Sequence, residues 1–370
     1  MVDNLSIFTI FVNLKQNDMM NNTTDIFSRR LRQSRIMRGL SLEKLSQSLS
    51  PTVTRQAINK YEKGQMMPDS RVLIALAKAL GVKIDYFFRP FTVEVDKVEF
   101  RKMPGFTKNM TAALKERVRE ELERYLEIEQ LSDSSINFAL PRKDVKTINE
   151  VKAFAHDIRN LLGLGSDGIS NVIEVLEDNG IKVIELAEDN NFDGLSGYAN
   201  EKIPLIVVNG NFSSERKRYT ALHELGHLLL NTPADMPAKT VENMCNIFAS
   251  EMLLPSNVLT TKMGSSRHDI SLSELTDIQR QFGISIDDIM LSLREQGIIT
   301  DRRYAGFQKK KSTMPDFQAL VEKSRMELER SGRFARMVYR ALADEAITFS
   351  KAAVILNTSV DNIKSNLQLV

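Results

Sequence analysis

Two histidines and a glutamate near the middle of the chain have the spacing of a zinc centre. His223 and His227 lie four residues apart in the run ALHELGH, so on a helix both imidazoles project from one face. A pair at this spacing can bind one zinc ion, and Glu224 beside it can accept a proton from the water that zinc makes acidic near neutral pH. The alternative is two partly buried histidines in an ordinary helix.

A zinc centre of this kind needs a third protein ligand. The other two histidines, His156 and His268, are remote in the sequence. Glu242 lies at the start of a predicted apolar helix, where an exposed, solvated carboxylate is the plainer interpretation, and Asn246 follows one turn later on the same face. A glutamate can complete the zinc coordination, and an amide one turn later can orient one of the histidines by a hydrogen bond to its other ring nitrogen.

Cys245 is the single cysteine of the chain and lies three residues after Glu242. Two interpretations stay open: a redox-sensitive fourth ligand to the metal, or a small apolar residue in a packed helix, which is the one we favour. One cysteine excludes a disulfide framework and a four-cysteine zinc cluster, so a reducing cytoplasm is the expected location.

A second set of residues, near the N-terminus, has the pattern of a DNA-reading helix. Thr54 is a predicted N-cap, and Arg55, Gln56, Asn59 and Lys60 follow on the outward face, near the end that enters a major groove. Gln and Asn side chains can pair with adenine and Arg with guanine, while the capping threonine and the helix N-terminus can bind phosphate. The alternative is a protein-interaction module with a solvated basic face.

The charge around the two sets of residues differs. Residues 24–90 contain 13 Lys and Arg against 5 Asp and Glu, a net charge of +8, whereas the whole chain carries a formal net charge of +2. A basic module on a mildly acidic body indicates that one part meets a polyanion such as double-stranded DNA. Hydrophobic residues make up 42% and no apolar run reaches 18 residues, so we expect packed domains and no membrane partner.

The elements that must position these residues predict an α+β multidomain protein in five stretches. These are a tail expected to be disordered at 1–23, an all-α module at 24–90, a connector with a charged helix at 91–135, an α/β domain at 136–300 and a helical region at 301–370. Strands are predicted at 93–100, 181–186 and 205–208, helices at 215–230 and 241–254, and a basic loop at 309–311.

The histidine helix and the helix after it resemble a known peptidase family. HELGH followed by NIFASEMLLP is similar to the ImmA/IrrE family of metallopeptidases, over roughly residues 145–300. The resemblance implies a zincin-like fold and a Zn2+ ion held by His223, His227 and Glu242, with Glu224 as the catalytic base.

This sequence departs from the family pattern in one turn. The family's usual second Glu and its Ala are Met244 and Cys245 here, which leaves Glu242 as the acidic candidate of that turn. The resemblance further implies a protein substrate that is itself a regulator, often a helix-turn-helix repressor, in stress or mobile-element control.

The N-terminal module resembles a second family. Residues 42–47 and 53–64 are similar to the second and third helices of phage-repressor-type (XRE) helix-turn-helix domains, and the similarity continues to Phe87. The resemblance implies a transcription regulator that binds a double-stranded DNA operator, with a homodimer as one expected assembly.

Two interpretations of the whole chain follow. The leading one is a DNA-binding transcriptional regulator with a zinc-dependent metalloendopeptidase domain and a helical C-terminal region. The rival is a non-catalytic repressor or antitoxin-like DNA binder, in which the peptidase-like domain is a sensor or an oligomerisation platform.

Overall fold

The computed structural model describes residues 23–95, 106–188 and 192–367. The predicted tail at 1–23 lies outside these residues except for Thr23, which belongs to a helix. Among the described residues, no helix is both long enough and apolar enough to cross a membrane.

Helices dominate the described chain. In chain order they are α1 (23–37), α2 (Leu42–Ser48), α3 (Arg55–Glu62), α4 (Ser70–Leu80), α5 (Lys108–Leu131), α6 (Ile148–Leu161), α7 (Val172–Asp178), α8 (Ser214–Leu229), α9 (Ala238–Leu253), α10 (Ser256–Met263), α11 (Leu272–Phe282), α12 (Ile286–Glu295), α13 (Asp301–Thr313), α14 (Pro315–Glu322), α15 (Arg333–Ala343), α16 (Phe349–Ile355) and α17 (Val360–Asn366). A 3₁₀ helix, Ile84–Phe88, follows α4.

The described residues form two compact units. The first unit comprises residues 23–95, 106–127 and 348–367, and the second comprises residues 128–188 and 192–347. The five-stretch division of the sequence stays a prediction, because a unit of packing is not the same as an independently folding domain.

The helices at the start of the first unit begin and end where the sequence carries capping signals. Ser41, Thr54 and Asp69 each accept a hydrogen bond from a backbone N–H three residues ahead, at the starts of α2, α3 and α4. Gly81 ends α4 with φ 63°, a left-handed conformation that glycine adopts without strain. Completely buried side chains from every helix form the core: Phe27, Leu31, Leu45, Ile58, Leu76, Leu80 and Phe87. The predicted all-α module is confirmed.

Ion pairs attach the middle of α5 to this helical module. Arg30 is completely buried and places Nη1 2.8 Å from Glu123 Oε2, while Arg89 Nη1 lies 3.1 Å from Glu120 Oε1. Burial raises the pKa of the Glu120 carboxyl, and the nearby arginines oppose that shift. Arg124 also donates a hydrogen bond to the backbone oxygen at the end of α16, at 2.8 Å.

A small mixed sheet lies in the second unit. Its strands are β2 (Lys182–Leu186), β3 (Gly194–Ala199) and β4 (Ile203–Asn209), and a short parallel pair joins β1 (Lys143–Asp144) to β5 (Leu230–Asn231). The strand order is β2-β4-β3, with β2 parallel and β3 antiparallel to β4. The predicted strands at 181–186 and 205–208 are confirmed as β2 and β4, so the α/β class of this region is confirmed.

Two local predictions, the basic loop at 309–311 and the strand at 93–100, are not confirmed. The basic loop at 309–311 is wrong: these lysines lie in α13, which Thr300 caps by accepting a hydrogen bond from Arg303 N. Lysines are favourable near a helix C-terminus, and Lys311 Nζ lies 2.7 Å from Asp287 Oδ2. The strand predicted at 93–100 has no strand over its first three residues, and its remainder lies outside the described residues.

Residues 323–332, between α14 and α15, form a polar strap against the start of α8. Ser214 Oγ donates a hydrogen bond to Glu327 O at 2.8 Å and accepts one from Glu329 N at 2.9 Å. Lys217 Nζ, buried one turn further on, donates to Glu329 O at 2.8 Å. The strap therefore satisfies polar groups that α8 carries into the interior.

The carboxylate of Glu329 lies at the centre of this arrangement. It accepts hydrogen bonds from the backbone N–H groups of Val172, at 2.8 Å, and Ile173, at 3.1 Å, at the start of α7. It also pairs with Arg218, which is completely buried. One negative charge thus compensates a buried guanidinium and accepts hydrogen bonds from two buried N–H groups at the N-terminus of α7.

Replacement of Glu329 by Gln is expected to destabilise the second unit. The amide keeps the shape of the side chain but leaves the Arg218 charge buried without a counter-charge, which costs about 3–5 kcal/mol of the free energy of unfolding. Urea unfolding followed by circular dichroism measures the change. Glu327→Gln, at an exposed strap position, is the matched control and should stay within about 0.5 kcal/mol of the wild type. Equal unfolding midpoints for the two variants would contradict the role of Glu329.

Candidate metal centre

The helix α8 carries the histidine pair and lies between the sheet and α9. Ser213 caps its start by accepting a hydrogen bond from Arg216 N. Near its end, a Cβ atom added at Gly226 would lie 3.3 Å from both Cα and Cβ of Cys245 on α9. The missing side chain lets the two helices approach closely, and this brings the first turns of α9 beside the histidines.

Three side chains predicted as zinc ligands converge at this crossing. The Nε2 atoms of His223 and His227 lie 3.1 Å apart, and Oε2 of Glu242 lies 3.2 Å from the first and 3.5 Å from the second. In a tetrahedral zinc site with Zn–N distances near 2.0–2.1 Å, neighbouring ligand atoms are about 3.3 Å apart. The three atoms therefore have the spacing of one face of such a tetrahedron.

The chemistry and exposure of these side chains also fit a metal ion. Two imidazole nitrogens and a carboxylate oxygen form a donor set that zinc accepts. The histidine side chains are 16% and 11% exposed and that of Glu242 is 40% exposed, so the cluster opens to solvent on the glutamate side. In the part of the chain that the structure describes, these three residues are the group that can hold a metal ion.

Consecutive residues of α9 contact the two imidazoles on the side away from the cluster. Asn246 Oδ1 lies 2.8 Å from Nδ1 of His223, the support that the sequence predicted for this amide. Cys245 is completely buried, and its Sγ lies 3.2 Å from Nδ1 of His227. The thiol thus faces the rear of the ring, so its contact does not favour the fourth-ligand hypothesis.

Glu224 points toward the sheet, where the strand β3 holds its carboxylate. Ser196 Oγ donates a hydrogen bond to Glu224 Oε2 at 2.7 Å. Two residues earlier, a Cβ atom at Gly194 would lie 2.5 Å from Thr220 Cγ2 and 3.4 Å from Glu224 Cγ, so glycine is required for β3 to lie this close to α8. Sequence reasoning missed Ser196, because β3 contains two glycines and a serine and lacks the apolar alternation of a half-buried strand.

Tyr219 joins the same two helices one turn before the histidines. Its hydroxyl donates to the backbone oxygen of Asn246 at 3.3 Å, and burial raises the pKa of the phenol. The side chain therefore fixes α8 against α9 and stays protonated at neutral pH.

The predicted DNA-reading helix is α3 of the first unit. Ile58 and Tyr61 are buried in the core, and Thr54 Oγ1 accepts a hydrogen bond from Ala57 N at 3.2 Å. The side chains of Arg55, Gln56 and Lys60 are exposed and that of Asn59 is half-buried. The predicted inward and outward faces of α3 are thus present, with α2 packed beside it.

Comparisons with known proteins match both parts of the chain. A family profile described as "Helix-turn-helix" matches residues 31–87, and one described as "IrrE N-terminal-like domain" matches residues 176–289. The first includes α2 and α3, and the second includes the histidine pair, Glu224 and Glu242.

A curated relative supports the first of these assignments. The chain is 32% identical over 79 residues to the SPbeta prophage-derived uncharacterized HTH-type transcriptional regulator YonR of Bacillus subtilis (strain 168). The match covers 21% of this chain and 71% of the relative. The chain therefore belongs to the XRE-type helix-turn-helix family of transcriptional regulators, and it carries an IrrE N-terminal-like domain in the same polypeptide.

Proposed function

We propose that this DNA-binding regulator is also a zinc-dependent metalloendopeptidase. His223, His227 and Glu242 are the proposed zinc ligands, and Glu224 is the proposed catalytic base. The observation that carries the proposal is the convergence of three ligand atoms within 4.8 Å of one another, two from α8, which also bears Glu224, and one from α9.

In the proposed peptide hydrolysis, the metal ion and the side chains of the protein have different roles. When bound, a zinc ion supplies a Lewis acid that polarises a peptide carbonyl and makes water acidic near neutral pH. Glu224 accepts a proton from the attacking water as its oxygen bonds to the carbonyl carbon, and then passes that proton to the amine nitrogen, so that the peptide C–N bond breaks. Ser196 holds the Glu224 carboxylate by its hydrogen bond, and the solvent-exposed side at Glu242 admits the substrate.

The proposed substrate is a regulatory protein, and a helix-turn-helix repressor is the first candidate. This choice comes from the resemblance to the ImmA/IrrE family and from the presence of a DNA-binding module in the same chain. Cleavage of a repressor converts a proteolytic event into a change of transcription.

The proposed DNA contacts lie on the outward face of α3. Arg55, Gln56, Asn59 and Lys60 read base edges in the major groove, and Thr54 with the helix N-terminus contacts phosphate. Their exposure, or half-exposure for Asn59, supports this assignment.

Removal of the histidine pair is expected to abolish zinc binding. The wild-type chain should retain one zinc ion after dialysis, because three ligand atoms already have tetrahedral spacing. The double variant His223→Ala, His227→Ala should retain none, as measured by elemental analysis. His268→Ala, at an exposed histidine outside the cluster, is the matched control and should keep wild-type zinc. Full zinc in the double variant would overturn the ligand assignment.

Replacement of Glu224 by Gln separates catalysis from metal binding. The amide has nearly the same size but cannot accept a proton, so cleavage should fall by about 10²–10⁴-fold while zinc content and DNA binding stay unchanged. New protein N-termini in cells that express each form give the measurement: the wild type should produce a cleavage site that the variant does not.

The same variant also tests the non-catalytic alternative. A reporter for the regulated genes should respond to the wild type and fail to respond to Glu224→Gln. Equal induction by the two proteins would contradict hydrolysis, and the IrrE-like domain would then be a sensor or a scaffold.

Replacement of Gln56 by Ala is expected to weaken recognition of a cognate operator, selected from random duplexes with the full chain. The loss of a bidentate contact to a base edge should cost about 1–3 kcal/mol and mainly reduce discrimination between sequences. Titrations at several salt concentrations give the measurement, and binding by the wild type should weaken steeply with salt. Gln318→Ala, on the exposed surface of α14, should bind like the wild type. Unchanged discrimination in Gln56→Ala would show that α3 does not read the operator.

A further inference from the structure

We infer that Cys245 is a positioning residue of the proposed zinc centre, and that its thiol holds the imidazole of His227 by accepting a hydrogen bond from Nδ1. This inference rests on the proposed zinc site and assigns a role to a residue that differs from the alanine usual in the family.

The orientation of the His227 ring carries the argument. Its Nε2 atom faces the cluster, 3.1 Å from His223 Nε2 and 3.5 Å from Glu242 Oε2. A histidine that binds a metal through Nε2 carries its proton on Nδ1, and the acceptor of that proton fixes the ring in place. The side chain at this position is Cys245, with Sγ 3.2 Å from Nδ1.

The other histidine shows the same arrangement with a different acceptor. His223 Nδ1 lies 2.8 Å from Oδ1 of Asn246, the residue after Cys245 on α9. Two consecutive residues of one helix therefore support two ligands that are four residues apart on another. An amide oxygen supports the first and a thiol sulfur the second.

The packing around Cys245 fixes the position of its thiol. Cys245 is completely buried, so water does not compete for its weak acceptor sulfur. On α8, a Cβ atom at Gly226 would lie 3.4 Å from Sγ and 3.3 Å from the cysteine Cβ. The glycine thus provides the space in which a side chain larger than alanine reaches the ring of His227.

Zinc affinity of the full-length chain tests this role. Competition with a chromophoric chelator compares the wild type with Cys245→Ala and Cys245→Ser. Removal of the acceptor in Cys245→Ala should weaken zinc binding about 10–100-fold. The serine hydroxyl is again an acceptor, so Cys245→Ser should bind within about threefold of the wild type. Met244→Leu, at the preceding buried position, controls for repacking of α9 and should leave the affinity unchanged.

Cobalt(II) in place of zinc distinguishes support of the ring from direct coordination. The wild type and Cys245→Ser should give the same spectrum, with no sulfur-to-cobalt charge-transfer band. A charge-transfer band that disappears in the serine variant would make Cys245 a ligand and overturn the inference.

The remaining outcomes separate this inference from the proposed function. Wild-type affinity in Cys245→Ala would show that the cysteine only fills space and would overturn the inference, while the zinc site stands. Failure of the wild type to bind either metal would overturn the proposed zinc centre itself, and the role of Cys245 with it.

Discussion

The close crossing of α8 and α9 at Gly226 is the constraint on which the candidate site depends. Residues 15 or more positions apart in sequence contact each other there: Cys245 contacts His227, Asn246 contacts His223, and Glu242 contacts both histidines. A Cβ atom at Gly226 would lie 3.3 Å from Cα of Cys245, so a side chain there would require the two helices to shift by a few tenths of an ångström. The spacing of the proposed ligands therefore depends on Gly226, a residue that has no side chain and contacts no metal.

The same helix has two buried, positively charged side chains near its N-terminus. Lys217 and Arg218 are buried at the start of α8, and each finds a partner in the strap, the second at the carboxylate of Glu329. Buried charges are costly unless they are paired. The counter-charge of Lys217 is Glu185 on β2, with Oε2 2.9 Å from Nζ, whereas the buried charge of Arg218 depends on the strap. The strap follows α8 by about a hundred residues, so the packing of α8 depends on a distant part of the chain.

The sequence was most informative where a local pattern dictates the outcome. Helical spacing placed His223 and His227 on one face, and capping residues marked the start of α3 correctly. The sequence was least informative where long-range contacts decide. Strand β3 is too poor in apolar residues to be recognised, yet the backbone partner β4 fixes it and thereby brings Ser196 to Glu224. Nothing near Glu329 in the sequence indicates that its charge compensates Arg218.

The composition of the first unit has a consequence for the order of events during synthesis. Its helical module is synthesised before the IrrE-like domain, but the residues at 348–367 that pack in the same unit are synthesised after that domain. Arg124 on α5 finds the backbone oxygen of Ile355 only at that stage. Chains whose translation ends before residue 348 therefore lack part of the unit that contains the DNA-reading helix. This unit can be completed only after the intervening domain has been translated.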